Sequence, residues 1–451
     1  MNTSTSLSVN PLPNPLAWGV IAAACVLFLF ATFGIEIAVF ALLGILICWW
    51  TFEYPEESFL TLIILSPLLP LLKATQTLGN ATLIKDVIII TLFLRNFAFP
   101  LLTQKLPYRR NMLFAPIIAL TFWSLFEVLR ASVTTLSILR LRDIVLYILL
   151  YFGVLYLPHT AKRMKVRLVA FLVTLVVTML LGVFQFLHLP DSTVLRFDPV
   201  RQIWIPRIAS TFAHPTVFAE YLITGSVLLA GVFLGTKKKI LPAILFACTM
   251  LLLYFTYTRA GWIGFVVGIF AIACAYLLPL FSIKKPKLLL TKVGSGTIAA
   301  AIIAILLFQF TPVGTFVKSA FDSQYGSNAE RIVFIVNLIS QTSNTDAVIG
   351  KGLGNTITET RKGGDATAFD IASGESRTIQ LSKDQTLVDN QYLKTFIEMG
   401  VVGIVLTFWL FWRFFFASKR ALSQAEPTSH ILGIAGIGFL AAFIVQALFV
   451  D

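Results

Sequence analysis

Residues 161–190 read AKRMKVRLVAFLVTLVVTMLLGVFQFLHLP, and this stretch decides the fold. Lys162, Arg163, Lys165 and Arg167 crowd its first two turns, and Leu168 to Pro190 then pass without a single Asp, Glu, Lys or Arg. A helix rises about 1.5 Å per residue, so such a run crosses a hydrocarbon core of roughly 30 Å. Similar runs recur from Leu16 to Val450. The chain of 451 residues is 57% hydrophobic and only 13% charged, with a mean hydropathy of +0.85, which excludes a water-soluble fold. A membrane β-barrel is excluded as well, because its strands alternate apolar and polar residues while these runs are apolar on every side.

The expected fold is therefore all-α, a polytopic integral membrane protein of about 12 to 14 transmembrane helices. The candidate spans are 16–34, 35–52, 58–72, 83–102, 112–130, 144–158, 168–190, 216–235, 240–257, 261–281, 293–313, 400–417 and 431–450. The run at 58–72 is short and carries Pro67 and Pro70, the composition of a broken or re-entrant segment.

The formal net charge is +13. Its basic residues gather in short linkers: Lys105, Arg109 and Arg110; Lys162 to Arg167; Lys237 to Lys239; Lys284, Lys285, Lys287 and Lys292; and Lys419 with Arg420. They read as topology signals that hold these linkers in the cytoplasm. No aromatic-interleaved basic groove accompanies them, so no nucleic-acid partner is expected. Cys25, Cys48, Cys248 and Cys274 lie inside apolar runs without C-x-x-C spacing, and no disulfide framework or zinc site is indicated. Ala22, Ala23, Ala24 and Cys25 are superficially like a lipoprotein cleavage site, but no basic region precedes them and the apolar run continues past Cys25.

With the basic linkers inside, residues 1–15 form a flexible cytoplasmic tail, and residues 16–313 carry the first eleven spans. Two outer segments remain, 191–215 and a large extracytoplasmic loop at 314–399, too long for a connector. Within it Ile332, Ile335, Val336 and Ile339 recur at helical spacing and predict an amphipathic helix over 330–342. Residues 400–451 hold the last spans. An odd span count leaves Asp451 outside with no tail, the pattern expected of a chain cut before a final span.

This map brings Arg207, Arg259, Arg331, Glu220, Glu330 and Asp389 to the outer ends of spans, where an ionisable group is costly unless paired or used. Arg259 lies in YFTYTRAGWIGFVVG (254–268), a span, one arginine in a tight connection, and a span again. A guanidinium there offers a planar fork of donors suited to phosphate or carboxylate. Arg207 lies in PRIASTFAHPTVFAEYL (206–222), and Arg331 opens the amphipathic helix, so three arginines are candidates to surround one diphosphate. IGKGLGNT (349–356) spaces three glycines alternately but matches no nucleotide-binding fingerprint and reads as a turn. His159, His188, His214 and His430 are scattered, and neither a metal nor another cofactor is expected. Asp389 stands in VDNQYLKTFIEMGVVG (388–403), either as a base at the mouth of the bundle or as the N-cap of the next helix with Asn390 in its first turn.

TYTRAGWIG, ERIVFIVNLI followed by IGKGLGN, and DNQYLKTFIEMGVVG resemble the three ordered blocks of the bacterial O-antigen ligase and O-antigen polymerase superfamily. The resemblance spans residues 205 to 420 and implies a GT-C-like helical bundle in the cytoplasmic (inner) membrane of a bacterium, its active site facing the periplasm or cell exterior. It further implies an inverting, metal-independent glycosyltransferase. The donor would be an undecaprenyl-diphosphate-linked oligosaccharide, and the acceptor a lipid-linked glycan or lipid A core. Ligases of the family usually begin the last block with His-Asn, the histidine being the proposed base. Here the matching residue is Asp389, which favours the polymerase branch over the ligase. Asp389 then acts on the acceptor hydroxyl, Arg259, Arg331 and Arg207 bind the diphosphate, and Asn390, Tyr392, Glu330 and Glu398 support them. The competing class is a flippase or other transporter, for which Arg95, with Lys85 and Asp86 nearby, is the candidate mid-depth charge.

Overall fold

A computed structural model describes residues 35–74, 82–103, 111–188, 194–198, 203–281, 342–355, 365–370, 375–380, 390–424 and 426–448. The chain is mostly helical, and its apolar helices make it an integral membrane protein. Among the described residues five helices are long and apolar enough to cross a membrane: Ala161–His188, Pro215–Gly235, Arg259–Tyr276, Gln391–Leu422 and Pro427–Gln446. Their outward faces are greasy: Phe270 is 68% exposed, Leu180 64% and Trp412 62%. In water such a surface would aggregate, whereas in lipid it is solvated.

The chain divides into two compact units. The first comprises Met1–Leu62, Leu78–Leu106 and Leu149–Leu157. Here α1 (Ile35–Glu53) packs against α4 (Thr82–Phe93), and Thr91 Oγ1 donates to Cys48 Sγ at 3.3 Å. Helix α4 loosens into a π-helical turn, Leu94–Ala98, before α5 (Phe99–Leu102). Arg95 sits on that turn and donates to the Phe52 carbonyl and, at 2.9 Å, to Asn96 Oδ1. Asn96 in turn donates to the Gly153 carbonyl at 2.8 Å.

The second unit holds Ile63–Thr77, Pro107–Ile148 and Pro158–Asp451. The expected break at the two prolines is present: α2 (Pro55–Leu65) ends, a turn follows, and α3 (Leu69–Ala74) begins. Thr211 Oγ1 donates to the Pro67 carbonyl at 2.6 Å, a group left open by the break because the Leu71 N–H turns to the Leu68 carbonyl instead. Helices α6 (Phe114–Arg130), α7 (Thr134–Leu155), α8 (Ala161–His188), α9 (Pro215–Gly235), α10 (Ile240–Phe255) and α11 (Arg259–Phe281) follow. After the short α12 (Asn344–Ile349) come α13 (Gln391–Leu422) and α14 (Pro427–Gln446). The core is shared by Leu175 and Met179 of α8, Phe218 and Leu222 of α9, Leu253 of α10, Phe265 and Ile272 of α11, and Ile434 and Ala442 of α14.

Two antiparallel hairpins add to the all-α expectation. β1 (Val194–Asp198) pairs with β2 (Ile203–Arg207), Val194 opposite Arg207, in the segment read only as an outer loop. β3 (Asp365–Asp370) pairs with β4 (Glu375–Gln380) within the large loop. The predicted amphipathic helix and the span at 293–313 lie outside the described residues.

The largest departure from expectation is inside α13. At Gly400 the backbone turns to φ +64, and the helix folds back on itself. Tyr392 and Phe408 stack with ring centroids 5.6 Å apart, although sixteen residues of straight helix would separate them by about 24 Å. Residues 391–399 and 401–422 are thus two arms of a helical hairpin.

Candidate functional site

The site is built on two backbone turns that interlock. α10 ends at Phe255, and Thr256, Tyr257 and Thr258 lead directly into Arg259 and α11. β2 delivers Arg207 against this turn. Its Nε donates to the Thr256 carbonyl at 2.8 Å and its Nη2 to Thr258 Oγ1 at 3.0 Å, so one guanidinium straddles Tyr257. Arg207 is 5% exposed and Arg259 3%. Two of the three expected arginines are thus buried at one turn, Arg207 bonded to Thr256 and Thr258 and Arg259 following Thr258 in the chain.

Both turns contain a non-glycine residue in the left-handed region, Ser210 at φ +54 and Tyr257 at φ +48. Each costs about 1 kcal/mol or more relative to glycine. Ser210 is held by Oγ donating to the Thr178 carbonyl at 2.6 Å and by its N–H on Gln185 Oε1 at 2.8 Å. Ile208 N–H donates to the Phe255 carbonyl at 3.2 Å and ties the two turns together. Backbone strain of this kind persists where the surroundings over-determine a geometry, and it gathers at functional sites.

The start of α13 reaches the same end of the bundle. Asn390 is its N-cap: Oδ1 accepts from the N–H groups of Tyr392 at 2.9 Å and Leu393 at 3.0 Å. Its Nδ2 donates to the Leu448 carbonyl at 3.0 Å, just past α14. Gln391 N–H reaches the Ala447 carbonyl at 3.1 Å, and the Tyr392 hydroxyl the Ile444 carbonyl at 2.8 Å. Four residues back along α11 from Gly264, which lies against Ala442 and Gln446 of α14, stands Ala260 beside Arg259. The cap of α13 thus borders the last turn of α14, against which Gly264, five residues beyond Arg259 on α11, also packs. Capping falls to Asn390 and not to Asp389, which corrects one of the two expected roles for Asp389. The reason is chemical: an ionised carboxylate only accepts, while the carboxamide both caps and donates to Leu448. Asp389, Arg331 and Glu330 lie outside the described residues.

Glu398 pairs with a different helix. It is 2% exposed and paired with Arg140 of α7, Oε2 to Nε 3.5 Å. It belongs to a second polar cluster that the sequence reading passed over. The hairpin break at Gly400 frees carbonyls, and two distant groups claim them: Lys351 N–H donates to Ile397 at 2.7 Å and Trp123 Nε1 to Met399 at 2.9 Å. The IGKGLGN segment is the wedge. Gly350 has φ +95, and a Cβ there would lie 2.5 Å from the Glu398 carbonyl oxygen. Arg130 at the end of α6 clamps the wedge, donating to the Gly350 carbonyl at 2.6 Å and pairing with Asp346 at 3.4 Å and Glu127 at 3.5 Å. Ser132 binds Asn355 Oδ1 at 2.6 Å. The signal for this cluster was visible as Glu127 and Arg130, two charges i and i+3 inside an otherwise apolar run. Glu220, one turn inside α9, is brought to neither cluster by a side-chain bond among the described residues.

Residues 244–408 match the O-antigen ligase family model, and no curated protein matches the chain. The matched segment, just over a third of the sequence, contains the arginine turn with Arg259, the glycine wedge and both arms down to Phe408, while Arg207 lies upstream of it. Over that segment the chain is similar to the O-antigen ligase family, whose members are membrane glycosyltransferase-like enzymes.

Proposed function

We propose that the protein transfers a glycan from undecaprenyl diphosphate to an acceptor sugar hydroxyl on the outer face of the bacterial cytoplasmic membrane, with inversion and without a metal ion, as a polymerase of surface polysaccharide. The acceptor oxygen attacks the anomeric carbon as the bond to the diphosphate oxygen breaks. The hydroxyl proton passes to the Asp389 carboxylate, and the electron pair leaves with the diphosphate. Arg207 and Arg259, joined by Arg331, stabilise the charge that grows on the leaving group. Donors fixed before reaction, in a site that excludes water, typically supply about 10²-fold or more each.

The observation that carries this reading is the burial of Arg207 and Arg259 at the Thr256–Arg259 turn, which Arg207 grips through Thr256 and Thr258. Arg95, the candidate charge of the transport reading, donates to the Phe52 carbonyl and to Asn96. Aspartate in place of the histidine of the His-Asn pair favours polymerisation over ligation.

Purified protein with undecaprenyl-diphosphate-linked repeat units and no nucleotide should yield a ladder of longer lipid-linked chains, absent in Asp389→Ala. Transfer only after lipid A core is added would make the protein a ligase. Inactivity with both acceptors, together with movement of the lipid-linked glycan across proteoliposomes, would replace the transferase by a transporter.

A further inference from the structure

The arginine turn carries aromatic side chains that diphosphate binding leaves unused. Tyr257 occupies the position after a helix C-cap where the left-handed backbone normally takes glycine, yet a tyrosine stands there at φ +48. Its ring packs on Tyr254 at 5.5 Å, and Tyr254 meets Trp262 edge-on at 6.3 Å. All three are partly exposed. Arg207 grips the carbonyl before Tyr257 and the hydroxyl after it, so the ring is rooted between the two atoms that fix the guanidinium. A backbone that would relax with glycine keeps a ring instead, and the ring is the part that gains from being there.

We infer that Tyr257, with Tyr254 and Trp262, forms a subsite for the sugar bonded directly to the diphosphate. This rests on the glycosyltransferase reading above. A pyranose has an apolar C–H face whose hydrogens are slightly positive, and an aromatic face carries the complementary negative quadrupole. Such a sugar lies one phosphoester bond from the diphosphate, so a ring rooted on the arginine turn is within its reach. The isoprenoid chain is the weaker occupant. It is already solvated by bilayer hydrocarbon, and moving it onto an aromatic face gains little.

The test uses Tyr257→Gly and, as a second left-handed-tolerant variant, Tyr257→Asn in the full-length protein. Expected are an unchanged or higher melting temperature, a KM for undecaprenyl-diphosphate-linked glycan raised about fivefold to tenfold, and affinity for sugar-free undecaprenyl diphosphate within twofold of wild type. Tyr257→Phe should keep most of the wild-type KM. A folded glycine or asparagine variant with wild-type KM would overturn the subsite, as would equal weakening of the sugar-free lipid. Wild-type protein that makes no product with either acceptor would instead sink the transferase reading itself, so the two failures are told apart.

Discussion

The Thr256–Arg259 turn and the Gly350–Asn355 wedge are both tight bends at helix ends, yet they solve opposite problems. In the first, a tyrosine holds a left-handed backbone and two arginines are buried over a span of three residues. In the second, Gly350, Gly352 and Gly354 hold positive φ, and the polar side chains of Arg130, Asp346, Ser132 and Asn355 are bonded to one another or to the backbone. Strain with a large side chain marks a place kept for chemistry, whereas glycine with closed hydrogen bonding marks a place kept for shape. The wedge shapes the hairpin whose free end carries the Asn390 cap.

If that division holds, the wedge should break first in stability. Gly400→Ala drives a methyl against the Val348 carbonyl at φ +64, and a loss of more than about 3 kcal/mol is expected. Thermal unfolding in detergent should show it as loss of folded protein. Arg130→Ala leaves the fully buried Glu127 carboxylate without its cation and should cost about 3 kcal/mol. Adding Glu127→Gln should restore part of the melting temperature, and no restoration would mean that the pair is not coupled. Arg259→Ala should instead leave the fold intact and lower polymer synthesis about 10²-fold, read as product per milligram of membrane-inserted protein. Trp123→Phe removes the donor to the Met399 carbonyl and trims the ring packed on Phe126 and should cost about 1 kcal/mol with near-normal synthesis. A Trp123→Phe protein that is stable but inactive would erase the distinction between the two bends.

Helix positions and the arginine turn were legible in the sequence for a simple reason: both depend on neighbours along the chain. Apolar runs form helices locally, and Arg259 between two spans has nowhere to go but their shared end. The break at Pro67 was legible on the same ground. The hairpin at Gly400 was not, since a glycine in an apolar run is tolerated in a membrane helix. What turns it into a fold-back is Lys351, 46 residues from Ile397, and Trp123, 276 residues from Met399, each arriving to take a freed carbonyl. The choice between Asp389 and Asn390 as cap was equally non-local, decided by the Leu448 carbonyl 58 residues away. Likewise, Arg140 claimed Glu398 from another helix. The five-residue strand that presents Arg207 carried too short a pattern to be separated from a loop.

The most direct test of the central claim is equilibrium binding of sugar-free undecaprenyl diphosphate to the purified protein, comparing wild type with Arg207→Ala, Arg259→Ala and Trp123→Phe. The account predicts saturable binding that weakens about tenfold or more in each arginine variant and stays unchanged in Trp123→Phe. Equal affinity in all four proteins would contradict it, because the diphosphate would then be held somewhere other than the arginine turn.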